Sequence, residues 1–268
     1  MFIAETPQKA VSTTSGPLNR LWSADPNEVR SFWRSVERFA PGANLGHGVK
    51  ERVKHAIIVY GWACDMCILP DGRRQIFSFY VPGDQLEIQP SSDLGVRGVV
   101  ALTRLELVDP RRVPGGDAQE QSDEADLRAA RQRNEERIFD HMVRLGQLTA
   151  KERVLHLFLE LYERLDAVGL VKNDSYRLPL TQEIVADALG LSIVHINRTL
   201  QQLRREGLVT LKAGMVTLAQ PSRLAGVAFY RGVGRSWRSS AARAAAPIAA
   251  AASARHTAAR AAPVAAAV

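Results

Sequence analysis

Residues 181–206 contain the pattern that most restricts the fold of this chain. Thr181 and Ser192 are residue types that cap helix N-termini, because their hydroxyl groups accept hydrogen bonds from free backbone N–H groups. Gly190 lies between the two helices that these caps predict, and glycine adopts the left-handed backbone of a tight turn without steric cost. The segment is therefore predicted to fold as a helix-turn-helix.

The apolar positions of this segment have the spacing that such a pair of helices needs. Counted from Gln182, Ala186 is the fifth residue, where the helices cross and only a small side chain permits close approach. Ile196 is the fifteenth residue, and with Leu200 and Leu203 it faces the first helix. This packing leaves the opposite face of the second helix free.

The free face and the helix ends carry side chains of types that contact bases or phosphates in DNA. The predicted DNA-binding residues are Thr181, Gln182, Ser192, Ile193, Val194, His195, Asn197, Arg198, Gln201 and Arg204. Arg198 can donate two hydrogen bonds to O6 and N7 of guanine, and Asn197 can pair with adenine. Ile193 and Val194 can contact the methyl group of thymine. The alternative is that these residues only solvate a surface helix.

Phosphate contacts and a wing are predicted beside this face. Thr181, Gln182 and Arg204 can bind phosphates, which position a protein on DNA without reading its sequence. His195 either contacts a phosphate or packs at the helix edge. Residues 209–218 predict a hairpin, or wing, with Lys212 at its tip.

Residues 56–110 change from helical to strand-like periodicity. Short runs of branched and aromatic residues alternate with turn residues in this region. The turn residues are Gly61, Asp71, Gly72, Pro82, Gly83 and Asp84. Asp71-Gly72 between two such runs is a strong hairpin signal. Several short strands at this spacing predict a small antiparallel barrel or jelly roll.

Residues 122–145 predict one long, charged helix with a narrow seam. The seam, which is the predicted dimer interface, consists of Leu127, Asn134, Ile138, Met142 and Leu145. Such a stripe suits contact with a second helix, so we expect a homodimer. The alternative is one face of an ordinary surface helix. A capping box of Thr149 and Glu152 predicts the start of the next helix.

The predicted fold class is α+β, and the chain divides into five parts. They are a disordered leader (1–20), a β-roll (21–121), a dimerisation helix (122–146), a winged helix-turn-helix domain (147–221) and an Ala/Arg-rich disordered tail (222–268). The β-roll part is predicted to open with a helix from Asp25-Pro26 to Gly42.

The net charge of +7 is a property of the tail. The tail contains seven arginines and no acidic residue, which leaves 28 basic and 28 acidic residues over positions 1–221. The prediction of DNA binding therefore depends on local pattern and not on net charge. The tail either adds non-specific DNA affinity or has no function.

With both halves considered, the chain resembles the Crp/Fnr superfamily of transcription regulators. The resemblance covers residues 40–220 and is most specific in LPDGRRQIFSFYVPGD (69–84), VRLGQLTAKERVLHLFLEL (143–161) and LTQEIVADALGLSIVHINRTLQQLRREGLV (180–209). It implies a sensor β-roll of the cyclic-nucleotide-binding type, dimerisation along 122–145 and DNA recognition through residues 192–204. It also implies a palindromic operator and RNA polymerase as a further partner.

Two departures from the family pattern affect these expectations. The Gly-Glu pair of members that bind cyclic AMP would fall on Glu87-Ile88, and their arginine near Gly95. A slipped register recruits Glu87 and Arg97 as an effector pocket, but we expect no cyclic nucleotide. Family members often place Glu where Val194 stands, so the preferred operator is expected to differ from the familiar ones.

Other chemistries have little support in the sequence. Cys64 and Cys67 point to opposite faces of a predicted strand, and two thiols cannot fill a four-cysteine iron–sulfur site. Four isolated histidines leave haem as an open alternative, namely His47, His55, His141 and His156.

Two other classes of function are alternatives to a DNA-binding transcription regulator. A cupin-like metalloenzyme needs a His-x-His pair, which residues 56–110 lack, so we expect no enzyme and no metal site. A ligand-sensing protein whose helix-turn-helix no longer binds DNA is the other alternative. With no apparent signal peptide or membrane span, the regulator is expected in the cytoplasm.

Overall fold

The computed structural model describes residues 25–48, 55–88, 97–112 and 120–232. The predicted leader (1–20), and the predicted tail beyond residue 232, lie outside these ranges. No helix in the described ranges combines the length and the apolar character needed to cross a membrane.

The first helix is shorter than its sequence pattern predicts. Helix α1 (Pro26–Ser35) begins as expected, with the Asp25 side chain accepting a hydrogen bond from the Asn27 N–H and proline at the first turn. It ends at Ser35 and not near Gly42, because Val36 is already extended and strand β1 (Glu37–Phe39) pairs with a strand at residues 105–107. Strand pairing thus overrides the helical spacing of Val36 and Phe39.

The N-terminal half is an antiparallel β-roll, which confirms the predicted fold class. After β1 and the short α2 (Leu45–Gly48), its strands are β2 (His55–Tyr60), β3 (Ala63–Ile68), β4 (Arg74–Tyr80), β5 (Gln85–Glu87), β6 (Arg97–Ala101) and β7 (Leu105–Val108). One sheet has the order β1-β7-β2-β5 and the other β4-β3-β6. Leu45, Ile58, Leu86 and Leu105 are fully or almost fully buried inside the roll.

The two cysteines lie on opposite faces of strand β3, as predicted. Cys64 is fully buried, whereas Cys67 is half-buried. Burial, assisted by the charge of Asp65, raises the pKa of the Cys64 thiol to about 12, so this group stays protonated.

Two helices connect the β-roll to the rest of the chain. A short 3₁₀ turn (Pro110–Arg112) precedes the long helix α3 (Glu120–Gln147), and α4 (Ala150–Asp166) follows almost directly. Both hydrogen bonds of the predicted capping box are present at the start of α4, between Thr149 and Glu152. Helix α4 lies in the main hydrophobic core, where Leu155 and Phe158 are fully buried.

The C-terminal domain contains two elements that the sequence pattern did not predict. Strand β8 (Ser175–Arg177) joins β10 (Met215–Leu218) and β9 (Val209–Lys212) in an antiparallel sheet ordered β8-β10-β9. Helix α7 (Pro221–Val227) follows the wing and packs on α4.

The predicted start of the tail at residue 222 is therefore too early. Leu224, Ala228 and Tyr230 are almost fully buried, and the Tyr230 hydroxyl donates to Glu163 of α4 at 2.5 Å. The folded C-terminal domain consequently extends at least to residue 230.

Candidate nucleic-acid interface

The helix-turn-helix forms at the predicted residues. Helix α5 (Gln182–Leu189) is capped by the Thr181 hydroxyl and α6 (Ile193–Arg205) by the Ser192 hydroxyl. Gly190 has φ +61 and ψ +38, the left-handed conformation predicted for the turn. Ala186 and Ile196 are 2% and 0% exposed where the two helices meet. This packing orients α6 relative to α5.

The turn is fixed by two residues whose roles the sequence pattern did not indicate. Arg153 of α4 donates from Nε to the Leu148 carbonyl at 2.8 Å and from Nη1 to the Leu189 carbonyl at 3.1 Å. It thereby satisfies a free carbonyl at the end of α5. A Cβ atom added at Gly190 would lie 3.5 Å from Cδ2 of Leu145, so the end of α3 also borders the turn.

The predicted reading face of α6 is open to solvent. Ile193 and Val194 are 48% and 61% exposed, and Arg198 is exposed beside them. The other predicted contact residues are Thr181, Gln182, Ser192, His195, Gln201 and Arg204, which are exposed, and Asn197, which is half-buried. Two exposed branched apolar side chains beside an arginine form a surface that can contact both a base edge and a thymine methyl group.

The charges around α6 favour a polyanion. The helix contains no acidic residue, and its last turn carries Arg204 and Arg205. Glu206 follows the helix, but its carboxylate pairs with Lys151 and accepts a hydrogen bond from Gln202. At the tip of the wing, Lys212 is exposed next to a tight turn at residues 213–214.

The acidic side chains of α5 contact the β-roll. Arg74 of β4 lies 2.7 Å from Glu183 and 2.8 Å from Asp187. Arg74 belongs to an arginine pair that follows the Asp71-Gly72 turn, a pattern that usually indicates only solvated side chains. The contact joins the β-roll directly to the first helix of the helix-turn-helix.

Part of the predicted dimer seam is used within the protomer. Asn134 is half-buried and accepts a hydrogen bond from Arg137 at 3.1 Å, while the half-buried Leu145 borders Gly190. Leu127 is also half-buried. Leu145 thus lies against the C-terminal domain, whereas the hydrogen bond of Asn134 is within α3 itself. The predicted dimer seam stays a prediction.

The exposed apolar stripe of α3 lies roughly a quarter turn away from the side of the helix that carries Asn134 and Leu145. It consists of Ile138, Phe139, Met142 and Val143, which are 39%, 68%, 63% and 51% exposed. Ile138 and Met142 belong to the predicted seam, whereas Phe139 and Val143 do not. A monomer that leaves four large apolar side chains next to one another in water presents a docking surface.

The predicted effector residues lie on different sheets of the β-roll. Glu87 of β5 accepts two hydrogen bonds from Arg131 of α3, at 3.1 and 3.2 Å, so its carboxylate already has a cationic partner. Arg97 begins β6 in the other sheet. The pocket formed by Glu87 and Arg97 stays a prediction.

The histidines considered as haem ligands lie on separate elements. His55 is on β2, His141 on α3 and His156 on α4, and the described residues contain no group of three or more metal-ligating side chains. His156 is not isolated, because its Nδ1 lies 3.0 Å from Nη2 of Arg144 and its ring packs edge-on against Tyr230.

Comparisons with known sequences agree with this geometry. The family model of the Crp-like helix-turn-helix domain matches residues 152–227. The chain is 34% identical over 167 residues to the nitrogen fixation regulation protein FixK of Bradyrhizobium diazoefficiens, and the match covers 60% of this chain and 68% of that relative. It is 28% identical over 162 residues to the transcriptional activator protein FnrL of Cereibacter sphaeroides, covering 59% of this chain and 65% of the relative.

Solved structures have the same architecture. FixK2 from Bradyrhizobium japonicum matches with a TM-score of 0.55 and 26% identity, over 74% of this chain and 98% of the other. A CRP-family transcriptional regulator from Thermus thermophilus matches with a TM-score of 0.53 and 20% identity, over 72% and 96%. Each match covers nearly the whole solved chain and therefore extends over the β-roll as well as the winged domain.

Proposed function

This chain belongs to the Crp/Fnr superfamily of DNA-binding transcription regulators, and on that premise we propose that it binds a palindromic operator as a homodimer. The observation that carries the proposal is the open face of α6, where Ile193 and Val194 lie beside Arg198 with no acidic residue in the helix. In this proposal Arg198 reads a guanine, Asn197 reads an adenine, and the two apolar side chains contact thymine methyl groups.

The phosphate contacts of the proposed complex lie at the ends of the two helices. Thr181 and Gln182 are exposed at the start of α5, and Arg204 is exposed in the last turn of α6. The Ser192 hydroxyl accepts from the His195 N–H and retains its own proton for a phosphate oxygen. These contacts hold the reading face in the major groove without contributing to sequence preference.

The apolar stripe of α3 supplies the proposed dimer contact. Two copies related by a two-fold axis bury Phe139, Met142 and Val143 against each other along antiparallel or parallel helices. A symmetric pair presents two copies of α6, about 34 Å apart for half-sites one helical turn apart. This arrangement accounts for a palindromic target.

Whether the protein activates or represses transcription can be proposed only from its relatives. FnrL of C. sphaeroides and AadR of Rhodopseudomonas palustris are named as a transcriptional activator and a transcriptional activatory protein. We extend the proposal to activation, with RNA polymerase as the partner at the promoter. In vitro transcription from a promoter that carries the selected operator tests this step, and repression in that assay contradicts it.

Selection of duplexes from a randomised pool tests the DNA-binding proposal. We expect the purified chain to enrich a sequence with two-fold symmetric half-sites. Arg198→Ala should then lose about 1–3 kcal/mol of discrimination at one base pair of each half-site. The matched control is Arg223→Ala, which removes an exposed arginine of α7 on the same domain. An asymmetric selected site, or unchanged discrimination in Arg198→Ala, contradicts the proposal.

A further inference from the structure

Five buried charged side chains connect the β-roll, the long helix and the C-terminal domain. We call them the charge cluster, and they are Asp84 before β5, Arg137 and Arg144 on α3, and Glu160 and Arg164 on α4. Each of the five side chains is 10% exposed or less. Charges at this depth are retained only when they are paired and hydrogen-bonded.

The two carboxylates alternate with the three guanidinium groups. Asp84 pairs with Arg137 at 2.9 Å through one oxygen and with Arg164 through the other. Glu160 pairs with Arg164 at 2.8 Å through one oxygen and with Arg144 through the other. The carboxylate of Asp84 therefore joins three parts of the molecule, because its own residue is in the β-roll while its partners are on α3 and α4.

The turn that carries Asp84 is itself fixed. The Val81 N–H donates to Oδ2 of Asp84 at 2.7 Å, and Nη2 of Arg164 also donates to the Phe79 carbonyl at 2.5 Å. Burial alone raises the pKa of Asp84, but Arg137 and Arg164 outweigh this effect and leave the pKa below its ordinary value. The carboxylate is thus charged and held by directional hydrogen bonds on both oxygens.

The backbone of the same turn touches the C-terminal domain. A Cβ atom at Gly83 would lie 2.4 Å from Cγ1 of Val168, which follows α4. Only glycine permits this approach of the Gly83-Asp84 turn to the end of α4. Two independent contacts therefore hold the β-roll turn against the domain that carries α6.

We propose that Asp84 is a positioning residue for DNA binding. By holding Arg137 and Arg164 together, it fixes the angle between the long helix and the winged domain, and so the distance between the two recognition helices of a dimer. The inference rests on the proposed homodimeric function. It assigns to Asp84 an effect on operator spacing and none on the reading of a single half-site.

The test uses the full chain and the symmetric duplex selected by the wild-type protein. Binding is measured to three probes, which are the selected duplex, the same duplex with two base pairs inserted between the half-sites, and a duplex with one half-site scrambled. The variants are Asp84→Asn and the charge-matched Asp84→Asn/Arg137→Gln, which keeps the net charge of the cluster and the Glu160 pairs. The control is Glu106→Gln, which removes ion pairs to Arg38 and Arg104 inside the β-roll.

We expect both variants to bind the selected duplex about 10-fold or more weakly than the wild-type chain, a typical size for coupling between sites. Their affinity for the single half-site should stay within about 2-fold of wild type, so their preference for the selected spacing falls. Glu106→Gln should behave as the wild-type chain on all three probes. Loss of a folded domain lowers binding to all probes alike, which separates a positioning role from a structural one.

Three results overturn the inference. The first is an equal loss of affinity for the full site and for the half-site, and the second is an unchanged spacing preference in both variants. The third is failure of both variants to fold, which shows that Asp84 is needed for folding and not for the angle between the long helix and the winged domain. If the wild-type chain selects no symmetric duplex, the proposed function itself fails, and this inference fails with it. If the wild-type chain does select one, the three results above refute this inference alone.

Discussion

Two buried histidines next to the charge cluster are expected to make this protein unstable at mildly acidic pH. His141 and His156 are 6% and 3% exposed. Burial, together with the nearby positive charge of Arg144, lowers the pKa of each imidazole from 6.5 to about 4. Both histidines are therefore neutral in the folded protein at pH 5, while they are protonated in the unfolded chain.

The sign and size of the effect follow from this difference. Between pH 6.5 and 4 the unfolded chain binds protons that the folded chain does not, so the free energy of unfolding falls as the pH decreases. Each pK unit corresponds to about 1.4 kcal/mol, and pH 5 lies about 1.5 units below the unfolded value, which gives about 2 kcal/mol for each histidine. The two together remove about 4 kcal/mol at pH 5, and the full stability is present above about pH 6.5.

Urea denaturation at pH 7 and pH 5, at one protein concentration, measures this loss. His141→Gln and His156→Gln should each remove about half of the difference, and the double variant nearly all of it. The double variant distinguishes the effect of the histidines on stability from that of the carboxylates. The pKa of Glu160 is lowered to about 2, so its contribution to the unfolding free energy is lost only at a pH below 5. Equal unfolding free energies at pH 7 and pH 5, or a double variant that keeps the full difference, would refute the reasoning.

Three further predictions follow from local geometry. Gly190→Ala should lower the unfolding free energy by about 1–2 kcal/mol, because Gly190 has a positive φ. Gly146→Ala should raise the unfolding free energy by up to about 1 kcal/mol, because Gly146 lies in α3 with open space around it. Chemical denaturation that shows a change of the same sign for both variants contradicts this prediction. Ser192→Ala should cost about 1 kcal/mol by removing the cap of α6, and an unchanged melting temperature counts against that role. Phe139→Ser should raise the dimer dissociation constant about 10-fold or more in sedimentation experiments, while the similarly exposed Phe229→Ser should not.

The helix-turn-helix could be predicted from the sequence because its determinants are local. The Thr181 and Ser192 caps, the glycine in the turn and the buried Ala186 and Ile196 lie within one short segment, and each acts through its near neighbours. The same is true of the capping box at Thr149. By contrast, strand β8 is three residues long and exists because it pairs with β10, which lies far along the chain. Such elements depend on tertiary contacts that no local pattern shows.

The orientation of α3 could not be predicted for a related reason. Its sequence carries apolar residues on two neighbouring faces, and only the folded β-roll determines which face is covered within the protomer. Arg144 is typical of a solvated helix position in sequence, yet its side chain is 3% exposed because Glu160 and His156 provide partners. Because charged residues occupy some of its buried positions, the buried face of α3 cannot be identified from the spacing of apolar residues.

The return of α7 to α4 has a consequence for shortening this chain. Leu224, Ala228 and Tyr230 cover apolar surface of α4, and the Tyr230 ring lies 5.0 Å from that of His156. A chain cut at residue 221, the end of the winged domain predicted from the sequence, uncovers this surface and admits water to His156. The segment beyond the wing therefore shields from water the contact between Arg144 of the long helix and His156 of the C-terminal domain.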